Sequence, residues 1–574
     1  MNRIVSFTAC ILALLLTLQP ILANNNPSSG YPPDEGYEAI ELKSLQAHLT
    51  FLASNLLEGR EASTRGYDIA ASYTASLFQQ LGLKPIAETA NERSFLQVFP
   101  IVELVNKGPE TLQVITARGD SQITESFSNR THFLIGNARR TTLVTAPVVF
   151  AGYGLVEKDA NYDDFANIDV KNKIVVVMTH APGEGDEKSY FYRKENRNRF
   201  FNGMEVLEKR RNAQQRGALA LLLINDPLGK HPNIFNNLAN NENKKPYNNL
   251  KVTTPRRRMV LSEELNENSP IPLITISEAL AQTLFDQSGR SLEALQRQIN
   301  ARHQPASFDL PDKRIKLNTE VETRLLNTSN VIGLLEGSDP VLKNEYIIIG
   351  AHLDHDGSRD GYIWNGADDD ASGSAAVIEL AAAFTRAKVK PRRSLLFCLW
   401  GAEEKGLLGS RFFTLQPLIP LDKISAVIQL DMIGRDVEPR PHQLKGKPKP
   451  TDLKRYIFAE TSAQSPEAGE ILLRANETAG LEINFESNTE VDGGSDHYSF
   501  WLKKIPIISI DDGVYHEDYH QPSDTIEKIN FNKVLLVSRL IYLTAREIAN
   551  YQSKLKWQET KTDTNLAESE KPMR

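Results

Sequence analysis

Cysteine is nearly absent from this 574-residue chain: only Cys10 and Cys398 occur. Cys10 falls in the first apolar stretch, and Cys398 stands alone inside Leu395-Leu396-Phe397-Cys398-Leu399. No disulfide framework is available, and a single thiol in an apolar run reads as a packing residue, not a nucleophile. Long Lys/Arg runs are also missing and the formal net charge is −7, which argues against nucleic acid and anionic membrane surfaces as partners. Beyond the first two dozen residues no apolar segment is long enough to span a bilayer. Apolar residues make up 40% and charged residues 24%, the composition of an ordinary globular chain. The length predicts two or three domains.

The chain opens with Asn2 and Arg3, an apolar stretch from Ile4 to Leu22, and Ala23 ahead of Asn24-Asn25-Asn26. That order reads as a secretory signal peptide over 1–23, with an uncleaved anchor as the alternative. Export to the periplasm or the exterior follows, with no stable membrane insertion once the peptide is removed. Residues 24–36 are polar and rich in Pro and Gly, a linker, and the charged residues 553–574 read as a disordered tail.

Helical periodicity runs from Ala39 to about Leu57 and from Tyr67 to Leu81, where Gly82 stops it. Between about 140 and 300 strands alternate with helices, and 227–262, rich in Asn, Pro and Arg, reads as a long surface loop. His180 and His231 stand alone there, without a metal-holding cluster. From Ser329 four nearly continuous apolar runs appear, Tyr346–Ala351, Ser394–Trp400, Ala426–Leu430 and Ile505–Ile510, with Ala371–Arg386 the clearest helix. Such runs suit strands covered on both faces, hence an α/β sandwich.

Ligands in open α/β sheets bind beyond the carboxyl ends of the strands. His352-Leu353-Asp354-His355 follows the first run, Glu403-Glu404 the second, Asp431 the third, and a loop ending Tyr519-His520 the fourth. Asp368-Asp369-Asp370 precedes the helix. Imidazoles and carboxylates gathered on one edge suit zinc, with cobalt or manganese as alternatives. So many like charges repel unless cations neutralise them, and two ions sharing a carboxylate resolve this. A glutamate next to a ligand glutamate can then act as a base.

AHLDH (351–355), GADDDASG (366–373), AEEKGLLGS (402–410), QLDMIGR (429–435) and YHQPSDT (519–525) resemble, in order, the five metal-site motifs of the M28 metallopeptidases. FLASNLLEGR (51–60) resembles the start of the same domain, and VVFAGYGL (148–155), KNKIVVVMTHAPG (171–183) and GALALLLIND (217–226) resemble a protease-associated (PA) domain. The resemblance implies a three-layer α/β sandwich on a mixed, mostly parallel sheet, with an inserted α/β PA domain. Its expected bounds are 37–135 for the N-terminal part of the peptidase domain and connection, 136–300 for the PA insertion and 326–552 for the catalytic domain. It also assigns roles. Asp369 matches the carboxylate bridging two Zn2+ ions, Glu404 and His520 the ligands of one ion, and His352 and Asp431 those of the other. Glu403 matches the general base acting on a metal-bridging water. Asp354 matches the acid beside His352, able to accept its free ring N–H.

The implied activity is a zinc metallo-aminopeptidase acting on peptides with a free N-terminus. A carboxypeptidase of the same family would need basic residues for a substrate carboxylate, and Arg411 and Arg435 lie near the motifs. N-terminal glutamine cyclisation and a non-catalytic binding protein are the remaining alternatives. Among neighbouring residues, His355 reads as a bystander, and His497 and His516 as surface histidines. Asp368 reads as a loop end, Asp524 as a helix cap, and Tyr498 and Tyr519 as packing aromatics.

Overall fold

The computed structural model describes residues 33–88, 92–136, 138–183, 186–193, 204–229, 231, 233–236, 250, 252, 254–266, 269–439, 444, 446–513 and 515–559. The expected signal peptide, most of the linker and the tail from 560 onward lie outside them.

Strands apolar on both faces belong inside a sheet, and the four runs occupy the centre of a ten-stranded one. They are β1 (Tyr346–His352), β2 (Ser394–Trp400), β3 (Ile424–Leu430) and β4 (Ile507–Asp511), parallel in the order β2-β1-β3-β4. Every residue of β2 and β3 is buried. The sheet is mixed. Val321–Leu335, Leu96–Asn106 and Arg258–Leu261 extend it antiparallel beyond β2. Tyr456–Ser462 pairs antiparallel with β4 and parallel with Glu482–Asn488.

One face is covered by α1 (Leu42–Leu52), α2 (Arg65–Gln80), α3 (Gly373–Arg386) and α4 (Phe531–Asn550). In α1, Leu45, Leu49 and Leu52 recur at helical spacing and are buried. Thr64 caps α2 by accepting the Tyr67 N–H, and Gly82 just past its end has φ +74°. Small side chains open α3, which is buried from Gly373 through Phe384. The other face carries Leu408–Leu415 and His497–Trp501, packed with Phe413 and Phe500 over Ile348, Cys398 and Trp400. The result is a three-layer sandwich that points the carboxyl ends of β1–β4 to one edge.

A second sheet of eight strands has the order 121–127, 111–118, 308–319, 142–150, 174–178, 220–224, 273–276, 133–136. The strands 142–150, 174–178, 220–224 and 273–276 are parallel, with apolar cores on both faces. This sheet draws on strands on either side of the expected 136–300. Conversely, Arg258–Leu261 leaves it and pairs with Leu96–Asn106 at the edge of the first sheet. Much of the expected surface loop 227–262 lies outside the described residues, but its end is a strand, with Met259, Val260 and Leu261 buried. Three apolar residues behind three arginines are too short a run to reveal a strand by periodicity.

Candidate metal centre

The loops leaving β1–β4 bring the expected residues together in two groups that meet at Asp369. His352, buried at the end of β1, places Nε2 3.1 Å from Asp369 Oδ1 and 3.4 Å from Asp431 Oδ1. On the other side His520 Nε2 lies 3.2 Å from Asp369 Oδ2 and 3.2 Å from Glu404 Oε2. Sequence reasoning missed two contributors. His355 is fully buried, with Nδ1 2.8 Å from Glu404 Oε1 and 3.8 Å from Asp369 Oδ2. Arg256, two residues before the edge strand, donates to Glu404 Oε2 at 3.0 Å and contacts Asp356 and His520.

Backbone contacts hold these side chains in place. Asp354 works differently from the expectation. Its backbone carbonyl lies 3.0 Å from His352 Nδ1, whereas its carboxylate accepts the Glu403 N–H at 2.9 Å, tying ligand and base loops together. Asp370 accepts from the N–H groups of His352, Gly373 and Met432, so one carboxylate joins three loops. Asp524 does not cap the following turn; its Oδ2 accepts from the Asp368 and Asp369 N–H groups at 3.0 and 3.2 Å. Asp368 accepts from Gly434 N–H at 2.7 Å and faces His516 Nε2 at 3.3 Å. His516 and His497 are buried, not surface residues; His497 opens the helix His497–Trp501, and His516 faces Asp368. The Tyr519 ring stacks on His520 with centroids 3.7 Å apart. Beneath the site lies Arg60, whose guanidinium donates to the carbonyls of Leu52, Leu353, Asn365 and Gly366.

Arg411 and Arg435, the basic residues considered for a substrate carboxylate, face acids instead: Arg411 contacts Glu264, and Arg435 lies 2.8 Å from Asp518. In the second sheet His180 and His231 do not stand apart. Their ring centroids are 4.4 Å apart, and His180 Nδ1 is 2.8 Å from Asp226.

Burial alone would raise the carboxyl groups of Asp369 and Glu404, but the facing imidazoles win and hold both below the usual carboxylate range. Burial likewise opposes charge on His352 and His520, yet the surrounding acids raise both. Glu403 moves the other way. Burial, reinforced by Glu404, Asp431 and Asp496, pushes it well above the usual carboxylate range.

The donor set fits divalent metal. Asp369 Oδ2, Glu404 Oε1 and His355 Nδ1 are buried and make no hydrogen bond, so a proton network does not explain their convergence. His352, Asp370 and Asp431 form one group able to hold an ion, and His355, Asp369 and Glu404 a second. Zinc bonds of about 2.0–2.2 Å set tetrahedral ligand atoms about 3.3–3.6 Å apart. The nitrogen–oxygen separations around His352 and His520, 3.1 to 3.4 Å, are close to such an edge.

Comparison with known proteins agrees with this architecture. Residues 330–545 match the model of peptidase family M28, and residues 144–284 match the PA domain. The chain thus resembles peptidase family M28 over the segment that carries β1–β4, and the PA domain over the parallel strands of the second sheet. It is 34% identical over 200 residues to leupeptin-inactivating enzyme 1 of Streptomyces exfoliatus, covering 35% of this chain and 38% of that one. To an aminopeptidase of Pseudomonas aeruginosa it is 31% identical over 188 residues, 31% of each chain. It therefore spans about a third of the length of these curated relatives. The solved structure of an aminopeptidase from Aneurinibacillus sp. strain AM-1 shares the fold, with TM-score 0.53 and 20% identity over 92% of this chain and 98% of that one.

Proposed function

We propose that this chain is an exported two-zinc aminopeptidase that releases N-terminal residues from peptides, with Glu403 as general base. The observation that carries the reading is that His352 with Asp431 and His520 with Glu404 meet on the two oxygens of Asp369, with the raised Glu403 carboxyl on the adjoining loop. His352 and Asp431 would hold one ion, Glu404 and His520 the other, and Asp369 both. Bound there, the ions would acidify a shared water and polarise the scissile carbonyl.

The protein's own part is proton transfer and alignment. Glu403 takes the water's proton and returns it to the leaving amine, and a carboxyl raised above the usual carboxylate range by burial suits both steps. Asp354, through the Glu403 N–H, keeps the base aligned with the His352 loop. Hydrolysis then adds hydroxide to the carbonyl carbon and a proton to the departing nitrogen. The names of the relatives above support a free α-amine as the recognised end. Export rests on the pattern of residues 1–23, and no helix among the described residues is long and apolar enough to cross a membrane.

A carboxypeptidase is the second reading, and one observation favours it: Arg256 brings a guanidinium to the rim beside Glu404, about one third exposed. Guanidinium groups bind carboxylates through paired N–H donors.

The test uses the chain from Asn24 onward, its bound metal, and matched unblocked and N-acetylated peptides. About two zincs per chain, turnover of unblocked substrates only, and a Glu403→Gln variant that keeps metal but loses about 10²–10⁴-fold in kcat are expected. Release of C-terminal residues from blocked peptides would replace the aminopeptidase reading with the carboxypeptidase one. A chain that binds no metal and cleaves nothing would refute both.

A further inference from the structure

His355 differs from its neighbours in being wholly inside the site without an assigned task. It is 0% exposed, and its ring packs on the backbone of Gly366, where φ is +56°. A Cβ at Gly366 would overlap the imidazole carbons, so that glycine leaves room for the ring. The peptide N–H of His355 donates to the Arg60 carbonyl at 3.2 Å, which fixes the backbone that presents the side chain. From there Nδ1 points at Glu404 Oε1, 2.8 Å away, yet neither atom makes a hydrogen bond.

Glu404 is consequently faced by an imidazole at each oxygen. Oε1 faces His355 and Oε2 faces His520, while Asp369 Oδ2 lies within reach of both rings, at 3.8 and 3.2 Å. The ring centroids of His355 and His520 are 5.9 Å apart, across the carboxylates. Buried nitrogen and oxygen atoms left without a hydrogen bond call for a partner, and imidazole and carboxylate side by side are the donor types that zinc takes.

We propose that His355 is a further metal ligand, through Nδ1, for the ion seated at Asp369 and Glu404. This inference rests on the metallopeptidase reading. It gives that ion two imidazoles and two carboxylates against one imidazole for the ion at His352. The two ions then differ in nitrogen content, with buried His355 and His520, about a quarter exposed, both serving the Glu404-side ion. The Glu404-side ion is the later of the two to leave when a chelator is added.

The experiment is nitrogen NMR of the full zinc-loaded chain labelled at histidine, combined with zinc titration of variants. In wild type, three histidines show metal-bound ring nitrogens, and one of the three is bound through Nδ1. His355→Ala keeps one tight zinc and loses affinity for the second by more than about 100-fold, beyond the 10–100-fold typical of groups that only orient a ligand. His355→Asn, whose amide N–H can replace a donor but not an imidazole lone pair, loses as much as the alanine variant. Two metal-bound histidines in wild type, both through Nε2, or restored affinity in His355→Asn, would overturn the inference and leave the two-metal reading standing. A wild-type chain without bound zinc would overturn both. The wild-type spectrum decides the matter even where a variant does not fold.

Discussion

Arg60 offers the sharpest test of how the fold builds the site. Its guanidinium is 1% exposed and touches no ligand; it donates only to backbone carbonyls. Leu353 lies between His352 and Asp354, Asn365 and Gly366 open the loop to Asp369, and Leu52 closes α1. One cation thereby fixes the spacing of both ligand loops against the first helix. Burial lowers Arg60 to about 10, against the pull of Asp370, Asp354, Asp369 and Asp524, so it stays charged at neutral pH. Arg60→Met keeps the stem's volume and removes the head. Four carbonyls then lose charged donors, each contact contributing about 1.5–3 kcal/mol before relaxation. Water entry and loop movement recover part of that, and breaking buried charge networks typically costs about 3–5 kcal/mol. At about 2–4 °C per kcal/mol for a domain of this size, the melting temperature falls by roughly 6–20 °C. Because the displaced loops carry His352 and Asp369, the zinc-dependent rise in melting temperature also shrinks. Differential scanning calorimetry with and without zinc measures both. A variant melting within about 2 °C of wild type, with an unchanged zinc response, would refute the assignment.

Two further perturbations separate competing accounts of other residues. If Arg256 receives a substrate carboxylate, Arg256→Ala raises KM for free dipeptides by about tenfold relative to the matching dipeptide amides, the scale of one charge-assisted hydrogen bond. Equal changes for both substrates assign Arg256 to its contacts with Asp356, Glu404 and His520. In the second sheet, Asp164 is fully buried and accepts from Tyr153 N–H, Leu155 N–H and the Tyr162 hydroxyl. Burial raises it to about 7, so folding favours its protonated form. Stability from this group is complete below the unfolded value near 3.9 and is lost as pH rises through about 7, by at most about 4 kcal/mol. Asp164→Asn removes that slope in urea denaturation followed from pH 4 to 8, and a variant that keeps the wild-type slope contradicts the sign.

The strands and the ligand loops were legible because each rests on a local signal. Ser394–Trp400 is apolar at almost every position, which only a doubly covered strand explains, and its bounds coincide with β2. His352, Glu404 and Asp431 lie at or just past strand ends, where an α/β sheet collects its ligands, and Asp369 comes just before α3. The unread parts depend on contacts between distant segments. His355 lies three residues from His352 but is defined by Glu404, 49 positions away, through a loop path that periodicity does not encode. Asp524 precedes a helical turn, and capping was its local default. The loop closing over Asp368 and Asp369 instead gave its carboxylate two backbone donors.

Arg256 shows the same limit more strongly, and its placement follows from sheet pairing. Arg256, Arg257 and Arg258 look like a solvated charge run. Once Met259-Val260-Leu261 pairs with Ile101–Glu103, the three arginines are committed to different partners. Arg258 reaches Asn106 and the Ala138 carbonyl; Arg257 reaches Glu103 at 2.8 Å and Glu61 at 3.5 Å. Thr254 donates its hydroxyl and its N–H to the Asp360 carboxylate at 2.6 and 2.9 Å. With both flanks fixed, Arg256 is left facing Glu404 and His520. A residue whose segment lies between strands of the second sheet thus shapes the metal centre of the first. Loosening the edge strand, by replacing Val260 or Leu261 with a polar residue, should alter the site without touching a ligand.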